Sequence, residues 1–577
     1  MSRIDRVSLL ALAASLWALM GGPAVSESRP SDLGVSSLSG SYLAGRYAGK
    51  EREVDLAARY FGRALESDPE NPVLIERTFI HALAAGNIEQ AEELAQVVLD
   101  GNSDHQMSRI VLGLKAARAD RHSEAREHFA KAAYRPVGEL TAALLTAWSF
   151  AHERKLPEAL KALDALDSNE AFANFKLLHA GLIADLLGDH GKAEEAYKEA
   201  YKRAGTSLRV LQAYGNFLER TNRAAEAAEL YERFLSASQR NPLIEESKKK
   251  IAAGVTPKPF VPDATSGMAE ALFSLASATS DEQSLEVSLV YVQLAFALKP
   301  DFPIAQTLLA EIYEDTKQYE KAIQTYGKLA RDSALRPSAE IQIAVNLDRL
   351  DKFNLALSHL DALIANQPQN YDALVARGNL LRLKEKWVEA ADAYSRALSL
   401  VGEPQRQHWT VLYFRGIAYE RAGQWEQAEQ DFRMALKLEP DQPSVLNYLG
   451  YSLIEKGLNL DEAMQMVRKA VELKPNDGYI VDSLGWAYYQ LGDYEEAVQH
   501  LERAVELRPE DPVINDHLGD AYWRIGRKLE AKFQWKHAKD NKPEPKDLVK
   551  IERKLQHGLD DTPEPTPAQT ASDPKKS

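Results

Sequence analysis

The sequence predicts an all-α fold, a solenoid of stacked helix–turn–helix units arranged in two arrays. Three observations carry this. A small residue recurs about every 34 residues, an Ala follows it twelve positions on, and a proline closes the unit. Near the C-terminus the pattern reads Gly485, Ala497, Leu501, Ala504, Pro509, and then Gly519, Ala531, Trp535, Ala538, Pro543. Glycine inside a helix costs about 1 kcal/mol relative to alanine, so its return at one slot implies that another helix passes close by.

This spacing is the tetratricopeptide pattern, so the fold class is a tetratricopeptide-repeat superhelical solenoid. With the small residue as slot eight, the first run occupies that slot with Gly45, Phe79, Gly113, Ala147, Gly181 and Gly215. The alanine column of these units is Ala57, Ala91, Ala125, Ala159, Ala193 and Ala227. A second run starts in a new phase at Ala276, Ala310, Ala344, Gly378, Gly416, Gly450, Gly485 and Gly519. Its column is Ser288, Ala322, Ala356, Ala390, Ala428, Ala463, Ala497 and Ala531. About fourteen units and some twenty-eight helices result.

The phase break gives the domain plan: an N-terminal array over 38–241, a proline-containing connector over 242–268 and a C-terminal array over 269–545. Thr256-Pro257-Lys258-Pro259-Phe260-Val261-Pro262 is not compatible with a helix, because proline lacks a donor and drives its predecessor to extended geometry. The stretch reads as a tolerated insertion, with a hinge or a strand laid on the concave face as the alternatives. Smaller spacing errors, near Val401-Gly402-Glu403-Pro404 and Gly457-Leu458-Asn459, fit longer turns.

Residues 1–26 read as a secretory signal peptide. Two arginines precede the apolar run Val7 to Met20, Gly21-Gly22-Pro23 breaks it, and Ala24-Val25-Ser26 supplies small residues for cleavage between Ser26 and Glu27. The run is shorter than the roughly 20 residues of a membrane span, and a retained anchor is the alternative. At the other end Leu548, Ile551 and Leu555 share one helical face, which predicts a capping helix over 546–560. Residues 561–577, rich in Pro, Thr and Ala, read as a disordered tail.

The chain has no cysteine, so disulfides and a lipidated cysteine are excluded. A net charge of -15 argues against nucleic acid and anionic membrane surfaces as partners. Catalytic motifs are missing: there is no phosphate loop, no nucleophile elbow and no paired-histidine metal motif. His152-Glu153 lacks the second histidine of a zinc-protease helix, and the thirteen histidines stand at no ligand spacing to one another. Ser247-Lys248-Lys249-Lys250 reads as a solvated charge run. No catalytic residue, metal or cofactor is assigned, and the chain reads as no enzyme.

Binding then falls to the concave groove, into which slots two, five, nine and twelve of each first helix point. The candidate groove residues are Tyr413, Asn447, Tyr451, Asp482, Trp486, Tyr489, Asp516, Asp520 and Trp523. Large aromatics beside acidic and amide groups are the make-up of a protein-binding hot spot. The alternative for Trp486 and Trp523 is that they fill space between adjacent helices.

Asn447-Tyr448-Leu449-Gly450-Tyr451, Asp482-Ser483-Leu484-Gly485-Trp486 and Asp516-His517-Leu518-Gly519-Asp520 resemble a family of exported proteobacterial tetratricopeptide proteins. The resemblance implies a periplasmic adaptor that brings peptidoglycan hydrolases to a carboxyl-terminal processing protease. Members of that family carry a lipidated cysteine and this chain has none, so outer-membrane anchoring does not transfer. The other reading is a scaffold in a machine that assembles or exports envelope polysaccharide or lipopolysaccharide. In both, the partners are proteins, the protein is periplasmic, and neither nucleic acid nor membrane insertion after signal removal is expected.

Overall fold

The computed structural model describes residues 37–237, 240–279 and 284–559; the expected signal peptide and the expected tail lie outside them. The described residues form thirty α-helices, from α1 (Leu38–Lys50) to α30 (Pro545–His557). Local chemistry starts many of them. Asn71, Asn241 and Asp511 each accept from the two backbone N–H groups that follow a proline at the first helical position.

The described turns inside the helical pairs hold a residue with positive φ, and the one before α25 (Leu460–Leu473) holds a second, Asn459. These fall at Arg52, Gly86, Asp120, Arg154, Gly188 and Asn222, and after the phase break at Lys317, Asp351, Glu385, Gly423, Gly457, Gly492 and Gly526. Glycine fills the left-handed position at no steric cost, yet seven of these thirteen positions keep an ordinary side chain.

Packing explains the slot-eight column. A β-carbon at Gly113 lies 2.4 Å from the Phe129 ring, at Gly181 2.7 Å from Tyr197, at Gly378 2.5 Å from Tyr394 and at Gly519 2.5 Å from Trp535. In each case the filler is the residue sixteen positions on, in the second helix of the same pair. The second unit inverts the arrangement, with Phe79 in the glycine slot and Ala95 in the aromatic one, both fully buried. Every alanine of the twelve-on column is fully buried, and Ser288, standing in that column, donates its hydroxyl to the carbonyl of Ala276 at 2.8 Å.

The described residues divide into two compact units, with the boundary between His359 and Leu360. The boundary therefore does not fall at the proline connector, and the reason is visible inside the first unit. Residues 242–268 are not one connector: Pro242–Ala252 is helix α13, and α14 (Ala264–Ala278) has already begun. Only 253–263 is irregular, and it crosses the inner slots of the sixth helical pair. Asn216, at slot nine, donates to the carbonyl of Lys258 at 2.9 Å, and the Arg209 guanidinium, at slot two, stands 4.4 Å from the centroid of the Phe260 ring. The tolerated-insertion reading is thus corrected; the segment is laid on the inner face, as extended chain leading into a helix.

α14 then packs on α7 (Arg135–His152) and α9 (Ala173–Leu187), and α15 (Leu285–Leu298) packs on α3 (Pro72–Ala84). Arg209 pairs with Glu270 through two bonds of 2.7 and 2.6 Å, and Glu270 is nearly fully buried. The Thr141 and Tyr291 hydroxyls meet at 2.9 Å. Farther on, Gln318 donates to the carbonyl of Arg52 at 2.9 Å and Lys321 pairs with Asp55 at 2.7 Å. The inner face of the first array is occupied by the chain's own later helices.

Candidate protein-binding groove

In the second unit the expected groove residues sit on α22 (Trp409–Arg421), α24 (Pro443–Glu455), α26 (Gly478–Gln490) and α28 (Pro512–Arg524), the first helices of successive pairs. Equivalent slots on stacked helices come side by side, so residues about 34 positions apart meet.

The centre of the site is a ladder of three rings. Trp486 stacks on Tyr489 at 4.6 Å between centroids and 9°, and on His517 at 3.9 Å and 19°. Asp482 holds the His517 ring at 3.0 Å from one carboxylate oxygen. Burial works against a charge on this imidazole, yet the carboxylates of Asp482, Asp516 and Asp520 outweigh it and hold its pKa above the ordinary value. Arg524 donates to the Tyr489 hydroxyl at 3.3 Å, fixing the outer end of the ladder. Trp486 and Tyr489 remain half-buried, each with part of its ring open to solvent. Beside them Tyr451 is half-buried next to Glu455, and burial followed by that carboxylate pushes its phenol far up.

Other expected groove residues have structural partners. Tyr413 lies among Phe414, Phe432 and Tyr448 at 5.4 to 6.1 Å, where burial pushes its phenol up to about 12; it is packing material between helices. Asn447 donates to the Ser483 hydroxyl at 3.1 Å and ties α24 to α26.

Asp516, Asp520 and Trp523 are covered by α30. Lys554 reaches both carboxylates, at 2.8 and 2.7 Å, and the indole N–H of Trp535 donates to Asp520 at 2.8 Å. Burial raises the Asp520 carboxyl to about 6 against the pull of Lys554. Trp523 packs on Trp535 at 5.3 Å, and a β-carbon at Gly558 lies 2.1 Å from its ring. A helix stands at Pro545–His557 with Ile551 buried and Leu548 and Leu555 partly so, and it lies over these slots, leaving Asp520 buried and Asp516 and Trp523 half-buried. Trp523 thus has neighbours within its own chain on one side, and the two aspartates have a lysine already.

Sequence reasoning missed His517, the ring on which the ladder turns. Its signal was available: it stands one residue after slot five of its unit, facing slots five and nine of the preceding one.

Comparison with known proteins bears on the repeats alone. A family profile described as TPR repeat matches residues 485–526, and profiles described as tetratricopeptide repeat match 77–138, 177–206, 304–331, 341–404 and 409–442. The TPR repeat-containing protein PA4667 of Pseudomonas aeruginosa is 26% identical over 189 residues, 32% of this chain and 30% of that protein. The BBSome complex member BBS4 of Bos taurus is 27% identical over 201 residues, 34% of this chain and 37% of that one. The general transcriptional corepressor ssn6 of Schizosaccharomyces pombe is 28% identical over 133 residues, 23% and 12% respectively. The chain thus spans between 12% and 37% of the length of these relatives. Among solved structures, the Cut9–Hcn1 assembly is similar over 91% of this chain and 97% of that one at 14% identity and a TM-score of 0.38. YrrB, described as having an unusual peptide-binding site, is similar over 34% and 95% at 22% identity and a TM-score of 0.27.

Proposed function

We propose that this chain, a tetratricopeptide superhelix with thirty α-helices among the described residues, is a non-enzymatic scaffold that binds another protein through the second unit. The supporting observation is the His517–Trp486–Tyr489 ladder, in which Trp486 and Tyr489, on inner slots of one helix, stay half-buried and stack on or beside the more enclosed His517 of the next pair. Rigid aromatic surface gives large contact area at small entropic cost, and such residues dominate binding hot spots. Half-buried Tyr451 adds a polar contact at its edge.

The setting proposed is the bacterial periplasm, reached through the signal at 1–26 with cleavage between Ser26 and Glu27. Among the described residues no helix is long and apolar enough to cross a membrane. The finer role is that of an adaptor presenting cell-wall hydrolases to a processing protease, and it rests on the resemblance of the last three units. The test is affinity capture from envelope extract with the wild type and with Trp486→Ala, read by mass spectrometry. The expected result is a processing protease or hydrolase that the variant fails to retain. Recovery of polysaccharide synthase or export subunits instead supports the assembly-scaffold alternative, and equal recovery by both baits overturns the groove.

A further inference from the structure

Repeat stacking brings together three side chains that no motif connects. Asp120 lies in the turn between α5 (Gln106–Arg118) and α6 (His122–Ala132), His122 opens α6, and His152 ends α7. One Asp120 carboxylate oxygen stands 2.8 Å from His152 Nε2 and 3.5 Å from His122 Nε2. The two imidazoles lie face to face with centroids 3.9 Å apart. Among the described residues this is the one group of three His, Cys, Asp or Glu side chains whose ligand atoms converge in this way.

The hydrogen bonds around His122 fix which nitrogen faces the carboxylate bare. Ser149 Oγ is 3.3 Å from the His122 carbonyl, which only accepts, so the single hydroxyl proton goes there. The same Oγ accepts from Arg126 at 3.0 Å and stands 3.3 Å from His122 Nδ1, which therefore carries its proton toward it. That leaves the Nε2 lone pair of a ring only 6% exposed, without a hydrogen-bond partner, aimed at a carboxylate oxygen. Two acceptors face each other at 3.5 Å, an arrangement that a cation between them relieves. Glu153, the carboxylate that follows His152 in the chain, is engaged by Arg126 at 3.0 Å and Lys155 at 2.7 Å.

We propose that Asp120, His122 and His152 form a binding site for a divalent transition-metal ion of the Zn(II) type. Two imidazoles and one carboxylate are a recurrent three-ligand set for zinc, with the fourth position left to water. Tetrahedral bonds of about 2.0–2.1 Å place ligand atoms roughly 3.3 Å apart, and the separations of 2.8 and 3.5 Å bracket that value. Ser149 then supplies the outer-sphere contact that sets the His122 tautomer. Asp120 and His152 are 80% and 41% exposed, so the ion is reachable from solvent and its open position faces outward. Bound there, it staples the turn of one helical pair to the end of the next pair's first helix.

The test is titration of the full, untagged chain with Co(II), followed by displacement with Zn(II). The expected result is one equivalent of Co(II) with the visible absorption of a tetrahedral N/O site, displaced by one equivalent of Zn(II), and a higher thermal midpoint with Zn(II). Loss of an outer-sphere partner alone costs about 10- to 100-fold in affinity, so Asp120→Asn and His152→Ala should each weaken binding by roughly tenfold or more. Both positions are exposed enough for the variants to fold, which circular dichroism verifies. Absence of the absorption band, or one-equivalent binding unchanged in both variants, overturns the site.

Discussion

Gly267 of α14 stands so close to Trp148 of α7 that a β-carbon there lies 2.2 Å from the indole ring. The indole is held from its other side by its N–H, which donates to Nδ1 of His179 at 3.0 Å. Trp148 occupies slot nine, where a groove residue was to be sought, and it is fully buried beneath the chain's own helix. The glycine allows α14 to seat, and the tryptophan is its floor.

Replacing Gly267 by Val should unseat α14. Both atoms in collision are backed by packed structure, so overpacking costs about 1–3 kcal/mol or more. Hydrogen exchange should rise over α7 and α14 while residues from 360 on keep their protection. An unchanged melting temperature argues against this contact as the seal of the inner face.

Acid should weaken the first unit. Burial lowers the His179 pKa to about 3, and burial followed by Arg77 lowers that of His81 to about 4. Each folded-state value lies below the unfolded one of about 6.5, so the stabilisation is complete above pH 6.5 and is lost as pH falls toward 3 to 4. At about 1.36 kcal/mol per unit, His179 alone costs about 3 kcal/mol by pH 4. His517 in the second unit, whose pKa is raised, works in the opposite direction: its contribution is complete below pH 6.5 and fades as pH rises through its folded value. Exchange rates read separately for the two units between pH 4 and 8 check this, and His179→Gln should flatten the slope of the first.

Gly485→Leu should act locally. A β-carbon at 485 lies 2.6 Å from Cγ of Leu501, the filler of the same helical pair. We expect a loss of about 1–3 kcal/mol confined to the last units, since each unit contacts chiefly its neighbours. Limited proteolysis locates the damage, and uniform loss of protection along the whole chain is the contrary outcome.

Lys554→Met should release the capping helix in a pH-dependent way. It strands two carboxylates that are 17% and 7% exposed, and breaking a buried pair costs about 3–5 kcal/mol. Asp520 takes up a proton near pH 6, so the penalty should be larger at pH 8 than at pH 5. Trp523 fluorescence, shifting to the red as α30 leaves its ring, reports the event; equal penalties at both pH values contradict the assignment.

The repeat register was legible because it is written in local terms: a missing side chain, a filler sixteen residues on, a turn residue in the left-handed region. The return of α14 onto the first array was not read, although its sequence held a signal. Ala264–Ala278 carries small and apolar residues all round and one charge, Glu270, and a helix without a polar face is a buried helix. What no periodicity reveals is where such a helix docks, since the Arg209 that neutralises Glu270 is 61 residues away. The groove was half legible for a similar reason. Slot counting found Trp486 and Tyr489, but the satisfaction of Asp516 and Asp520 by Lys554 depends on how the cap folds back. His122 and His152, thirty residues apart, escape any short-range ligand motif.

The pairing of each slot-eight hollow with a filler in the same helical pair bears on how such a chain can change in evolution. Gly378 and Tyr394, or Gly519 and Trp535, travel together whenever a whole unit is copied or deleted, so length can vary without a steric mismatch. A crossover falling between the two helices of a pair is different. Joining the Phe79 half of the second unit to a half carrying Phe129 or Tyr197 sets two bulky side chains against one another, and the reciprocal product sets Gly beside Ala95 and leaves a void. The unit of inheritance in this chain is therefore the complete hairpin, with breakpoints tolerated between pairs and selected against within them.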